Sequence, residues 1–257
     1  MIDTGDNRII LSQEGTIAII TLARPEKLNA LNLSMIAALE KAAHAIDADN
    51  TIRAAIITGM GDRAFCAGGD ISAWSAQDAE SFGLQWVRIG HRAFDALTRL
   101  RVPLIAALNG SAMGGGLELA ATADFRIAED HAKFSLPETG LGIIPGWSGT
   151  QRMVQRFRAQ NVRRMALGGE AFTAQEALRL GMADRVVAKG ERLRAAISMA
   201  EAITQRSAFA TAAVKMMINS ADGEDGPRAL EALGGIATAH SAELKAGLAA
   251  FNAKKKS

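Results

Sequence analysis

Two glutamates tied to glycine-rich turns are the residues best placed to do chemistry in this chain. Glu118 closes residues 109–118, a run that carries the triplet Gly114-Gly115-Gly116. Glu138 follows Pro137 and precedes Gly140, Gly142 and Ile144-Pro145-Gly146. A third glycine turn lies upstream, at Phe65-Cys66-Ala67-Gly68-Gly69-Asp70. Bare amides in two such turns can hold an oxyanion developing on a carbonyl compound. Two carboxyls near them can take up and deliver protons. The combination points to an enzyme.

Each feature alone has a plainer reading. A glycine triplet that opens a helix can simply allow close packing of helix on strand. Glu118 could be a solvated helix residue and Glu138 could cap its own turn. Yet Glu118 sits among Leu117, Leu119, Ala120 and Ala121, and glutamate is rarely buried without a purpose. Competing motifs fail. Residues 59–64 formally match a dinucleotide fingerprint, but a second glycine turn follows where a helix should start. The triplet at 114–116 lacks the Lys and Ser/Thr of a phosphate loop, and there is no Gly-x-Ser-x-Gly elbow. His44, His91, His131 and His240 have no ligand spacing, so no metal site is expected.

The elements that must position these residues alternate along the chain. Residues 16–22 are β-rich and end before Pro25. Asn32 or Ser34 can cap a helix with Ile36, Leu39, Ala43 and Ile46 on one face. Residues 54–58 and 104–108 are short apolar strands that run into glycine, and 125–128 is a third. Residues 81–99 place Leu84, Val87, Phe94 and Leu97 at helical spacing, and a helix is expected from Gly114 through Ala121. The strand–glycine–helix unit recurs about every fifty residues, as in a stacked α/β solenoid. Thr173-Ala174-Gln175-Glu176 is a capping box for a helix ending at Gly181. Val186-Val187 is a brief strand, after which alanine-rich helices dominate. The expected organisation is therefore an α/β core over residues 1–195 and a helical region over 196–257.

Composition narrows the classes. The chain has 257 residues, 49% hydrophobic and 22% charged, as in ordinary globular proteins. With 29 basic and 27 acidic residues the charges nearly cancel, which argues against a nucleic-acid or membrane-surface role. One cysteine, Cys66, excludes an internal disulfide. Charges interrupt every apolar run, and Asp3 and Asp6 stand where a targeting peptide would be basic. A cytoplasmic protein is expected.

From about Gly15 to Lys254 the chain resembles the enoyl-CoA hydratase/isomerase (crotonase) superfamily. The resemblance is carried by residues 22–31, 65–70, 109–118, Pro137-Glu138, Ile144-Pro145-Gly146 and Gly149-Thr150-Gln151-Arg152. It implies an α/β fold, a spiral of ββα units followed by a helical trimerisation region that also closes the CoA site. It implies a hydro-lyase that adds water across the 2,3 double bond of 2-enoyl-CoA thioesters. Alternatives on the same site are a carnitinyl-CoA type dehydratase and a Δ3–Δ2 isomerase. A non-catalytic member of the fold, binding RNA or acting as a scaffold, fits the balanced charge and carboxyl pair less well.

By resemblance, the amides of Gly69 and Gly115 form the oxyanion hole for the thioester oxygen. Glu118 takes the proton from water that attacks Cβ, and Glu138, kept protonated by an apolar wall, gives one to Cα. Substrate and CoA contacts are implied at Lys27, Leu28, Ala30, Ala67, Gly68, Asp70, Ile71, Gly114, Pro137, Gly146 and Trp147. Phe251 and Lys254 correspond to residues that close over a neighbouring subunit's CoA, so a homotrimer or homohexamer is expected. No metal or redox cofactor is implied, since coenzyme A is part of the substrate. One departure stands out: Trp147-Ser148 replace the small residues usual between Pro145-Gly146 and Gly149. A large ring there reshapes the acyl pocket.

Overall fold

A computed structural model describes residues 3–254, apart from the side chains of Phe251, Ala253 and Lys254. Strands β1 (Ile9–Glu14) and β2 (Ile17–Leu22) form an antiparallel hairpin that turns at Gly15, φ +57°. β1 has no counterpart among the expected strands because its second half, Ser12-Gln13-Glu14, is polar and lies at the sheet edge. A 3-10 turn at Pro25–Lys27 leads to helix α1 (Leu33–Ala48). Asn32 rather than Ser34 is the cap: its side chain accepts the Met35 amide at 3.1 Å. Ile36, Leu39, Ala43 and Ile46 are buried, as their spacing predicts.

Next come β3 (Ala54–Gly59), the short β4 (Ala64–Cys66), α2 (Ile71–Trp74) and α3 (Ala79–Ser81). The expected helix over 81–99 is interrupted. Residues Phe82–Val87 form a π turn, and only then does α4 (Arg88–Thr98) run regularly. A π turn carries an extra residue per turn, so the periodicity slips: Trp86 faces inward while Leu84 is 63% exposed. The chain continues through β5 (Leu104–Leu108), β6 (Ser111–Met113), α5 (Gly115–Ala120), β7 (Phe125–Glu129) and β8 (Lys133–Ser135). Then follow α6 (Arg152–Phe157), α7 (Ala159–Ala166), β9 (Ala171–Thr173), α8 (Ala174–Arg179), β10 (Arg185–Val187) and α9 (Arg192–Thr204). The capping box predicted at Thr173 and Glu176 forms, with both reciprocal hydrogen bonds. Helices α10 (Ala208–Ala221), α11 (Gly226–Ala239) and α12 (Ala242–Lys254) come last among the described elements.

Six strands build one sheet in the order β1-β2-β3-β5-β7-β10, parallel beyond the first hairpin. Four build a second, β4-β6-β8-β9. The pairs β3 and β4, β5 and β6, β7 and β8 each give one strand to each sheet. A helical segment follows each pair, which is the spiral of ββα units. Parallel neighbours need such crossovers and are covered on both faces. That is why β3 and β5 read as continuous apolar runs, and both are buried along their whole length. One face of the large sheet joins the main core through Ile20, Ile57 and Ala106. The other, with Ile19, Ile56 and Ile105, is covered by Ala196 and Ala200 of α9.

By packing, the chain divides into two compact units, Met1–Ala212 and Ala213–Ser257. The boundary expected at 195/196 lies earlier than this division, because α9 is bound to the sheet as a core helix. Among the described residues no helix is long and apolar enough to cross a membrane.

Candidate active site

Two buried asparagines that the sequence reading passed over hold the glycine turns in place. Asn29 accepts the Arg24 amide on Oδ1 at 3.0 Å and donates from Nδ2 to the carbonyls of Met60 and Ala64, both at 3.0 Å. Asn109 accepts the Gly59 amide at 3.1 Å and donates to Ala64 at 2.9 Å and Gly61 at 3.0 Å. Together they tie the loop between β3 and β4 to the ends of β2 and β5. The only signal for them in the sequence was an Asn beside a turn at the end of an apolar strand.

The turn at 67–70 is strapped to the segment before α1. Ala67 N donates to Leu28 O at 3.0 Å, Leu31 N to Gly68 O at 2.8 Å, and Asp70 N to Leu31 O at 2.7 Å. Asp70 accepts the Ser72 amide to cap α2 and pairs with Arg24 at 2.7 Å. The Ser72 hydroxyl first, and then Arg24 and the Ser72 amide, hold its carboxyl below the usual carboxylate range against the effect of burial. The Gly69 amide itself is left over: among the described residues it donates to no protein acceptor, and neither does the Gly115 amide. The two turns touch, since a Cβ added to Gly68 would come within 3.1 Å of Gly115 N. Gly68 also has φ +97°, where a side chain is strained.

Glu118 rides on α5, one turn after Gly115, with 2% of its surface exposed. Its Oε1 accepts two amides, from Trp147 at 2.8 Å and Gly149 at 2.6 Å. Glu138 opens the 3-10 turn Glu138–Leu141 and is 7% exposed. Its Oε1 lies so close to Gly114 that a Cβ there would stand 2.7 Å away. Its Oε2 is buried without a hydrogen-bond partner. Burial, and then the charge of Glu138, push the Glu118 carboxyl up to about 8 against the pull of its two amides. Burial also raises the Glu138 carboxyl. Two carboxyls in one dry cleft do not both ionise readily, so at neutral pH the pair retains a proton. Oε1 of Glu118 is committed as an acceptor, which leaves Oε2 to carry or take up that proton.

These groups face one cleft with a volume of about 90 Å³. Of the residues expected to bind substrate, Ala67, Gly68, Gly69, Ile71, Gly114, Gly115, Pro137, Gly146 and Trp147 line it together with both glutamates. Lys27, Leu28, Ala30 and Asp70 do not. Leu28 and Ala30 offer carbonyls to the strap and to Arg24, and Lys27 is exposed. The side chains of Phe251 and Lys254 lie outside the described residues. The remaining wall is apolar and largely aromatic: Trp74, Phe82, Trp86, Val87 and Ile143. None of these stands out in the sequence as a site residue, and Val87 only as a helix-face residue, because apolar and aromatic side chains at helical spacing read as core. Cys66 stands behind the cleft, fully buried, and burial pushes its thiol up to about 12, so it is inert.

An amide pair that meets a carbonyl oxygen, with two protonatable carboxyls beside it, can stabilise an enolate and move protons at the adjacent carbons. Known proteins share both sequence and shape with this chain. The profile of the family described as enoyl-CoA hydratase/isomerase matches residues 12–257. The short-chain-enoyl-CoA hydratase of Clostridium acetobutylicum is 37% identical over 216 residues, 83% of this chain and 81% of that one. The carnitinyl-CoA dehydratase of Salmonella arizonae is 40% identical over 205 residues, 80% of this chain and 77% of its own length. A solved enoyl-CoA hydratase from Bacillus anthracis superimposes with a TM-score of 0.82 at 31% identity, covering 96% of this chain and 97% of that one.

Proposed function

The chain belongs to the enoyl-CoA hydratase/isomerase family, and from that premise we propose that it adds water across the 2,3 double bond of a 2-enoyl-CoA thioester. One observation carries the reading: two buried carboxyls, Glu118 and Glu138, converge with the Gly69 and Gly115 amides on a single cleft. Moving a double bond needs one proton carrier, whereas hydration needs a group that takes a proton from water and a group that gives one to carbon.

The steps follow from that geometry. The thioester oxygen accepts the amides of Gly69 and Gly115. In the form that hydrates, the shared proton sits on Glu138, and Glu118, then ionised and oriented by Trp147 N and Gly149 N, removes a proton from water as its oxygen bonds to Cβ. The electrons of the double bond move onto the thioester oxygen, where the two amides stabilise the enolate. One such donor is worth roughly 3–4 kcal/mol of barrier. Glu138 then delivers its proton to Cα, giving the 3-hydroxyacyl thioester. The Oε2 of Glu138, buried without a hydrogen-bond partner, is the atom that carries the proton in the hydrating form. The reverse reaction uses the opposite arrangement, Glu118 protonated and Glu138 ionised. Both directions therefore run on a pair that shares one proton, and elimination of water from a 3-hydroxyacyl-CoA is the same chemistry read backwards.

No step calls on a metal or redox cofactor. A trimer or pair of trimers in the cytoplasm, with Phe251 and Lys254 closing a neighbour's CoA site, completes the proposal on the strength of the family resemblance. The direct test is incubation with crotonyl-CoA, following loss of the conjugated thioester and formation of 3-hydroxybutyryl-CoA. A protein that binds crotonyl-CoA and makes no hydrated product would sink the reading.

A further inference from the structure

The acyl end of the cleft is closed by the indole ring of Trp147. All three tryptophans of the chain, Trp74, Trp86 and Trp147, line the one cleft. Trp147 is the deepest, 3% exposed. Its indole spans two glycines that carry no side chain to obstruct it. A Cβ on Gly115 would lie 2.6 Å from its six-membered ring, and one on Gly90 would lie 2.0 Å from Nε1. Gly90 is buried in α4, so the indole fills the space between α4 and α5 with no gap beneath it. Nε1 donates to the carbonyl of Trp86 at 3.3 Å. The rings of Trp86 and Phe94 pack against it with centroids 5.3 Å away. A ring hydrogen-bonded and flanked in this way is fixed as a wall.

The reacting atoms set the direction of the acyl tail. With the thioester oxygen at Gly69 and Gly115, and with Cα and Cβ between the carboxyls, carbons beyond Cβ meet the Trp86 and Trp147 faces. The outer rim, where Leu141 and Ile144 are 58% and 73% exposed, is the entrance. Resting on the hydratase reading above, we propose that Trp147, seated on Gly90, is the specificity-determining residue that limits this enzyme to short acyl groups. It fills the space between α4 and α5 at the acyl end of the cleft. The main-chain amide of Trp147 holds Glu118 whatever side chain is present, so the limit can be altered without removing that bond.

The test measures binding and turnover separately. Calorimetry with acetoacetyl-CoA and 3-oxooctanoyl-CoA reads the length limit without any reaction. Crotonyl- and octenoyl-CoA read it in kcat/KM. Wild-type protein should favour the short member of each pair by at least about tenfold, since one methylene in a fixed apolar pocket is worth about 10–200-fold. Trp147→Ala should reduce or reverse that preference, and Trp147→Phe should fall between. Gly90→Ala should lower the melting temperature with Trp147 present and do little with Trp147→Ala. That coupling shows the seat even if one variant expresses poorly. Equal affinity for both lengths in the wild type, or an unchanged preference in both Trp147 variants, overturns the proposal. Length-selective binding that shifts in the variants without any hydration would uphold the wall and refute the hydratase reading.

Discussion

Replacing Glu118 by glutamine should change how stability depends on pH, by an amount the burial of Glu118 sets. The side chain is 2% exposed, and its carboxyl is raised from 4.5 to about 8, about 3.5 apart. The folded value lies above the unfolded one. Below pH 4.5 both states hold the proton. Between the two values the unfolded chain has released it and the folded chain, whose pair rests with its shared proton on Glu118, has not, so stability falls as pH rises, and above about 8 the loss is complete. At 1.36 kcal/mol per pH unit the full loss is on the order of 5 kcal/mol. Glutamine keeps an oxygen for the Trp147 and Gly149 amides and has nothing to ionise. The Glu118→Gln protein should therefore gain on the wild type steadily from pH 5 to pH 9. With roughly 2–4 °C per kcal/mol for a chain of this size, the gap in melting temperature should widen by on the order of 10 °C. Thermal unfolding at equal protein concentration, followed by circular dichroism across that range, measures it. Parallel curves for the two proteins would refute the claim that a buried, proton-retaining carboxyl sits at position 118.

Three further outcomes are expected. Hydration should decline as pH rises through about 8, where the carboxyl pair loses its shared proton; a rate that climbs through pH 9 would contradict this. Asn109→Ala leaves the Gly59 amide short of its acceptor and the Gly61 carbonyl short of a donor, at about 1–3 kcal/mol for each group left unsatisfied. It should lower both melting temperature and kcat, and denaturant titration with initial rates checks the pair. Light scattering should return the mass of a trimer or hexamer, and a fully active monomer would exclude the proposed sharing of the CoA site.

The large sheet was legible because its strands are buried on both faces and read as unbroken apolar runs, such as 54–58 and 104–108. The strands of the small sheet were not. β4, β6, β8 and β9 span three residues each, too few for any period to emerge. The slip at Leu84 has the same root, since helical spacing presumes a regular turn and residues 82–87 form a wider one. The two glutamates and the glycine turns stood out because their types are unusual in an apolar setting. The groups that aim them did not. Asn29 and Asn109 act on main-chain groups, and Arg24 and the amide of Gly149 on carboxylates, all distant in sequence, and the Trp147 seat depends on Gly90, far upstream in α4. Such partners emerge only when the spiral brings its turns together.

The central claim is that both carboxyls are separately required while the amide pair alone holds the thioester. Glu118→Gln and Glu138→Gln should each slow crotonyl-CoA hydration by at least roughly a hundredfold, the low end for general acid–base catalysis, and the double variant should be little worse than the slower single. Acetoacetyl-CoA should still bind both single variants, measured by calorimetry. Near-normal turnover in Glu118→Gln with a dead Glu138→Gln would instead describe a one-carboxyl isomerase, and normal turnover in both would place the chemistry elsewhere.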